Sequence, residues 1–150
     1  MSDVSVRQAV VADAATIAVF NLRMAWETEE LRLDPTRVER GVHGIFEVPS
    51  RGTYFVAERA GRVVGCLLVT HEWSDWRDGD MWWIQSVYVD AEARRHGVFK
   101  AMHAHVRAAA VAAEVVALRL YVEKHNQRAK QTYAALGMKV TDYDIMHEAL

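Results

Sequence analysis

One cysteine and two prolines in 150 residues remove several fold classes at the outset. Cys66 has no intrachain disulfide partner, so the chain does not read as a disulfide-stapled module, and no cysteine cluster of zinc-site spacing exists. Pro35 and Pro49 are the only prolines, and no linker, internal repeat or low-complexity tract divides the sequence. The longest apolar run, Val63 to Val69, is far short of the roughly 18 to 20 residues of a membrane-spanning helix. Charge of one sign is also missing. The 18 Lys+Arg and 20 Asp+Glu leave a formal charge of -2, with no global field to gather nucleic acid or an anionic membrane, so any anion site must be local. The start Met1-Ser2-Asp3 is acidic with no apolar segment behind it, so no signal peptide and a cytoplasmic, soluble protein are expected. What is present, 51% apolar and 25% charged residues, is ordinary globular usage. At this length the expectation is one domain, residues 1–150.

Local patterns give an order of elements. Val4, Val6 and Ala9 suggest a short first strand, after which Asp13 is placed to cap a helix carrying Ile17, Phe20, Leu22 and Met24 and ending near Glu30 to Leu33. Asp34-Pro35 starts a second helix running to about Glu47, because aspartate supplies a capping oxygen and proline suits the first helical position. Thr53 to Glu58 and Arg62 to Trp73 read as a hairpin closed by Arg59-Ala60-Gly61-Arg62, and Met81 to Val89 follows Ser74 to Asp80 as a third strand. Val98 to Val111 predicts a helix and Val116 to Glu123 a strand, an order that makes the flanking strands parallel neighbours across a right-handed crossover. Asn126 to Leu136 predicts a last helix stopped by Gly137, and Met138 to about His147 a final strand. The class is mixed α/β: a mostly antiparallel twisted sheet, helices on both faces and one parallel βαβ crossover.

The turn before the third helix has charge of the wrong sign. Arg94, Arg95, His96 and Lys100 surround a helix start that favours acidic residues, which is unfavourable unless an anion sits there. Backbone amides at that start, with Gly97 permitting close approach, make a phosphate cradle; the plainer alternative is solvated charge beside a turn glycine. Neither the three-glycine dinucleotide fingerprint nor a Gly-Lys-Ser/Thr loop is present, which argues against a nucleotide-binding structural protein.

Two segments resemble the GCN5-related N-acetyltransferases. Arg94-Arg95-His96-Gly97-Val98-Phe99 is similar to the family's Gln/Arg-x-x-Gly-x-Gly/Ala acyl-CoA loop, departing from it at Phe99. Asn126-Gln127-Arg128-Ala129-Lys130-Gln131-Thr132-Tyr133-Ala134-Ala135-Leu136-Gly137-Met138 is similar to its Asn-x-x-Ala-x-x-x-Tyr-x-x-x-Gly-Phe/Met segment. The resemblance covers nearly the whole chain and implies acetyl-CoA as co-substrate, with no metal. It implies that amides of Arg95, His96, Gly97, Val98, Phe99 and Lys100 hold the pyrophosphate, that the backbone at Val87 and Val89 pairs with pantetheine, and that Asn126 bonds the pantetheine arm. Tyr133 matches the general acid, a phenol that stays protonated at neutral pH and can donate to a departing thiolate. The implied reaction is direct attack of a primary amine in a ternary complex; a non-catalytic acyl-CoA-binding or sensing module is the alternative, which retention of Tyr133 disfavours.

The base is not carried over. Some relatives have a glutamate five residues before the asparagine, where this chain has Tyr121. Glu27, Glu29 and Glu30 remain near the end of the first helix, where acids oppose the helix dipole and hint at a cationic visitor, although Arg23 is also spaced to pair with Glu27. Trp26 and Glu30 share a helix face; with Glu27, and with Asp75 and Trp76 of the hairpin loop, they are expected to converge on a cationic amine acceptor. Trp73, Trp76, Trp82 and Trp83 among Glu72, Asp75, Asp78 and Asp80 either extend such a site, cover both faces of a strand, or form a homodimer surface. His103 and His105, two residues apart on a helix, are no metal pair, and Cys66 in its apolar run reads as packing.

Overall fold

A computed structural model describes residues 3–150. It divides into two compact units, Met1–Leu120 and Tyr121–Leu150. The first holds five strands, β1 (Val4–Gln8), β2 (Thr53–Arg59), β3 (Arg62–Ser74), β4 (Gly79–Val89) and β5 (Ala117–Leu120), in sheet order β1-β2-β3-β4-β5. It also holds three helices, α1 (Ala14–Glu29), α2 (Pro35–Glu47) and α3 (Val98–Ala112). The first three pairings are antiparallel, and β4 with β5 is the parallel pair that α3 connects, as the strand-helix-strand order predicts.

The apolar runs of β2 and β3 are continuous because both sheet faces are covered. Tyr54, Val56, Cys66 and Leu68 pack with Ile17, Phe20 and Val42 on the α1–α2 face, while Phe55, Ala57, Leu67 and Val69 pack with Met102 and Val106 on the α3 face. Cys66 is fully buried, and burial pushes its thiol up to about 12, which keeps it a packing residue. Gly65 has a steric role: a Cβ there would lie 3.0 Å from Val98 and 3.1 Å from the Tyr88 carbonyl, so glycine lets the start of α3 sit on the sheet.

Asp34 starts α2 as predicted, its carboxylate accepting from the Thr36 amide at 3.1 Å with Pro35 in the first turn. Asp13 does something else. It ends a short 3-10 turn, Val11–Asp13, and its carboxylate accepts from the Val10 amide (2.8 Å) and twice from Arg7 (2.8 and 3.0 Å) instead of capping α1. Arg7 also reaches Glu58 at 3.0 Å, so one guanidinium ties β1 to β2 and to the entry of α1. The guanidinium holds the Asp13 carboxyl below the usual carboxylate range. Asp13→Asn is therefore expected to cost about 1–3 kcal/mol, or several degrees of melting temperature. A carboxyl lowered in the folded state stabilises fully above its unfolded value, near 4, and loses that contribution as pH falls through the folded one. The gap between parent and variant in thermal melts should close between pH 5 and pH 2.

β5 is shorter than the predicted Val116 to Glu123, its parallel pairing with β4 joining Met81–Ile84 to Ala117–Leu120. Met138 to His147 forms no strand. Val140, Tyr143, Ile145 and Met146 are exposed, and no strand among the described residues pairs with this segment, so its alternation has no partner edge. The second unit is built on α4 (Gln127–Ala135). No helix among the described residues is long and apolar enough to cross a membrane.

Candidate active site

The site begins with an irregularity in β4. Leu68 pairs with Gln85 and Cys66 with Tyr88, so Ser86 and Val87 together oppose Leu67, and Ser86 takes a left-handed φ of 50°. That geometry costs a non-glycine residue roughly 1–2 kcal/mol and marks a bulge. The parallel register with β5 stops at Ile84 and Leu120, so from Gln85 to Val89 this edge of β4 has no β5 alongside. An unpaired strand edge can accept another extended chain by backbone hydrogen bonds. Val87 and Val89 lie in that stretch.

Beyond Val89 the Asp90 amide bonds the Val64 carbonyl at 2.8 Å, and a 3-10 turn, Ala91–Ala93, leads into the basic segment. Arg95 and Gly97 have φ of 69° and 73°, and Gly97 is the residue before α3, where no side chain caps the helix. The first amides of a helix have no intrahelical acceptor, and the dipole makes that end partly positive. Arg95, His96 and Lys100 are exposed there and form no ion pair among the described residues. Val98 is buried in the core, and Phe99 packs beside it with its ring 6.2 Å from that of His103, so the residue that departs from the loop pattern points its bulk inward.

Arg94 behaves differently from the other loop cations. Its Nη2 lies 2.6 Å from Glu27 Oε2, its Nε donates to the Val89 carbonyl at 3.0 Å, and its guanidinium sits 5.5 Å from the Tyr88 ring centroid. Tyr88 donates its hydroxyl to Glu27 Oε1 at 2.9 Å. Both oxygens of Glu27 are thus engaged, and the Arg94 guanidinium holds its carboxyl below the usual range. Such a carboxylate is a poor proton acceptor and a good tie between α1 and the loop. Arg23, spaced to pair with Glu27, lies 4.0 Å from Asp90 instead.

The expected acidic and aromatic cluster is not assembled. Glu30 ends α1 in a left-handed conformation, φ 51°, and Trp26 is covered on one side by Arg32, 4.7 Å from its ring. Asp75 and Trp76 form the tip of the β3–β4 hairpin. From Gly79, just past that tip, β4 runs to Tyr88 and its contact with Glu27, roughly 30 Å at the strand rise. Glu72 takes Trp83 Nε1 at 3.4 Å and Arg119 at 3.6 Å, and Trp82 meets His71 edge-on, so these residues cover strand faces of their own unit. His103 is buried and His105 exposed against Phe55, and the described residues contain no group that could hold a metal.

A cavity of about 490 Å³ opens between α1, α2 and the bulge, with Asn21, Met24, Val42, Tyr54 and Ser86 in its walls. Asn21 Oδ1 is buried without a hydrogen-bond partner. Asn21, Tyr54, Ser86 and Tyr88 are functional candidates that sequence reasoning missed. An asparagine inside the apolar run Phe20-Asn21-Leu22 was the one available signal.

In the second unit, Asn126 precedes α4 and its Oδ1 accepts from the Ala129 amide at 3.0 Å, which leaves its amide nitrogen as the group able to donate elsewhere. Tyr133 is half-buried, and burial pushes its phenol above the ordinary value. Gly137, at φ 94°, ends the helix, with its amide on the Ala134 carbonyl and that of Met138 on the Tyr133 carbonyl.

The sequence matches the profile of the "Acetyltransferase (GNAT) family" over residues 15–138. A "possible acetyltransferase" from Clostridium difficile 630 is 40% identical, covering 98% of this chain and 97% of that one, with a TM-score of 0.92. More distant solved structures share the fold. A predicted acetyltransferase with acetyl-CoA from Clostridium acetobutylicum has 14% identity, coverage of 97% and 96%, and a TM-score of 0.76. An aminoglycoside acetyltransferase from an uncultured soil metagenomic sample, in complex with trehalose, has 12% identity, coverage of 99% and 96%, and a TM-score of 0.76. No curated protein matches the sequence. Its mostly antiparallel sheet with one parallel pair is the family's architecture; the chain belongs to the acetyltransferase (GNAT) family and is by class an N-acetyltransferase.

Proposed function

We propose that the chain, as one GNAT domain, moves the acetyl group of acetyl-CoA directly to a primary amine. The observation that carries this is the succession, within one unit, of an open bulged edge on β4 and an uncapped, cation-ringed start of α3. In this reading amides of Arg95 to Lys100 receive the pyrophosphate, the backbone at Val87 and Val89 pairs with pantetheine, and the Asn126 amide nitrogen donates to the pantetheine arm. The amine lone pair attacks the thioester carbonyl carbon; the C–N bond forms, the C–S bond breaks, nitrogen gives one proton to solvent water, and solvent returns one to Tyr133 after its phenol has protonated sulfur. Tyr133 supplies the proton to the thiolate. The products are an acetamide and free CoA thiol, with no covalent enzyme intermediate. We place this activity in the cytoplasm, with neither nucleic acid nor membrane as partner.

Release of free thiol from acetyl-CoA across a panel of amines tests the reading. Binding of acetyl-CoA without thiol release for any amine would favour the sensing module instead.

Glu27 is assigned here as a positioning residue that holds Arg94 against β4, not as the base. Glu27→Gln is expected to lower turnover by less than about tenfold, against the 10²–10⁴ of a lost general base, and to leave the pH at half-maximal rate unmoved. A shifted acidic limb in its pH profile would return Glu27 to the role of base.

A further inference from the structure

We propose that the distal edge of β3 binds a cationic, extended segment of a partner protein as an added strand. The last rung between β2 and β3 joins Thr53 to Val69, and Gly52 still lies against Val69 and Thr70. From His71 to Ser74 no strand among the described residues flanks β3 on that side, while on its other side the ladder with β4 continues to Ser74 and Gly79. β5 closes the far edge of β4 from Met81 to Ile84, so the overhang is a platform of three strands with one open side. On such an edge every second residue turns its amide and carbonyl outward. Proteins guard an edge of this kind with lysine, proline or a bulge. His71, Glu72, Trp73 and Ser74 include neither lysine nor proline, and their register with β4 is unbroken. Glu72, the one charge among them, is turned to Trp83 and Arg119 on its own sheet face.

The side chains select the occupant. Trp73 is 62% exposed, and Trp76 in the adjoining turn 87%. Trp73 stands directly opposite Asp80, and the Cβ atoms of such a pair lie about 5 Å apart on one face. Asp75, Asp78 and Asp80 form no ion pair among the described residues, and residues 70–83 carry four acids against one arginine. An aromatic face beside an unpaired carboxylate receives a guanidinium or ammonium by cation–π attraction and by charge together. In an added strand alternate side chains fall on one face, so an arginine or lysine at every second position meets Trp73 and Asp80 while the backbone completes the ladder. A second copy of this chain suits the edge badly, because pairing two overhangs brings two acidic hairpins together. Nucleic acid and anionic membrane are repelled by the same charge. The surface is separate from the acetyl-CoA site, with β4 running from Gly79 to Tyr88 between them.

Fluorescence anisotropy with a labelled, N-acetylated peptide that alternates arginine with valine tests this. The probe carries no primary amine, so it is no acceptor for acetyl transfer and reports docking alone. It should bind the parent saturably. The same peptide methylated at every backbone nitrogen keeps its charge and loses every ladder donor, and should bind at least tenfold more weakly. A version with glutamate in place of arginine should show no saturable binding. Trp73→Lys puts a guarding lysine on the edge and should weaken the arginine probe at least tenfold, while Trp73→Phe, which keeps an aromatic face, stays within about threefold of the parent. The Trp73 ring is exposed, so both variants should hold the parental melting temperature and acetyl-CoA affinity. Equal affinity for the methylated peptide, or indifference to Trp73→Lys, overturns strand addition at this edge. Absence of saturable binding of the arginine probe overturns the proposal outright. A dimer of the parent in sedimentation equilibrium that Trp73→Lys dissolves would give the edge to a second copy and overturn the cationic occupant.

Discussion

Tyr133→Phe should bind acetyl-CoA with the affinity of the parent and acetylate its amine roughly 10²-fold more slowly or worse, the scale of a lost general acid. The substitution removes one oxygen from a half-buried ring, so packing within α4 is retained. What is lost is a proton for the thiolate. A CoA thiolate leaving unprotonated is the conjugate base of a thiol with a pKa near 8.5, and a phenol near 10 can hydrogen-bond it as the C–S bond lengthens and then yield its proton. Burial raises the Tyr133 phenol from its ordinary value, which keeps the donor protonated further into alkaline pH. The parent should therefore hold its rate through neutral and mildly alkaline pH, and any loss belonging to this tyrosine should begin at a higher pH than for a free phenol. Calorimetry with acetyl-CoA and steady-state rates over pH 6–10 separate the effects. Parental turnover in the variant would hand the proton to water or another residue.

Much of the fold could be read from local pattern because local chemistry decided it. Asp34-Pro35 capped α2 as expected, and the strand-helix-strand run around α3 produced the parallel pair. Apolar β2 and β3 were legible because burial on both faces admits little else. The misses share a cause: each depended on a partner distant in sequence. Asp13 has the composition of a cap, but Arg7 and the Val10 amide claim its oxygens. Met138 to His147 alternates like a strand, yet alternation needs an edge to pair with. The contacts of Glu27 with Arg94, far along the chain, and with Tyr88 were likewise not readable from its own neighbourhood.

The candidate site divides in the same way. The basic turn and Gly97 stand in consecutive positions, so their joint meaning survives in one dimension. The bulge at Ser86 carries no glycine, proline or asparagine to announce it and arises from the pairing of β4 with β3. The cavity is assembled from α1, α2, β2 and β4, and only the asparagine in the apolar stretch of α1 hinted at it. Trp76 and Asp75 were grouped with the α1 residues by chemical type, and the length of β4 lies between them and Tyr88.

Gly97→Glu should abolish measurable acetyl-CoA binding, a loss of roughly 10²-fold or more, while leaving the protein folded. Gly97 has φ 73°, so any Cβ there is strained by about 1–2 kcal/mol, but nothing lies within 4 Å of that Cβ and no neighbour must move. A glutamate at a helix start also gains from the dipole, which offsets part of the strain. The effect on binding has a different origin. The new carboxylate occupies the approach to the first amides of α3, competes for their hydrogen bonds, and repels a diphosphate. Losing two charge-assisted bonds at about 1.5–3 kcal/mol each accounts for the expected drop. Gly97→Asn, which tolerates the left-handed conformation and carries no charge, should stay within about tenfold of the parent. Affinity of the parent should itself fall with added salt, because Arg95, His96 and Lys100 are exposed and their attraction for phosphate is screened. Calorimetry of the three proteins at two ionic strengths decides the matter: parental affinity in Gly97→Glu would remove this loop from the site, and equal losses in Gly97→Asn would trace the effect to strained backbone rather than to the displaced phosphate.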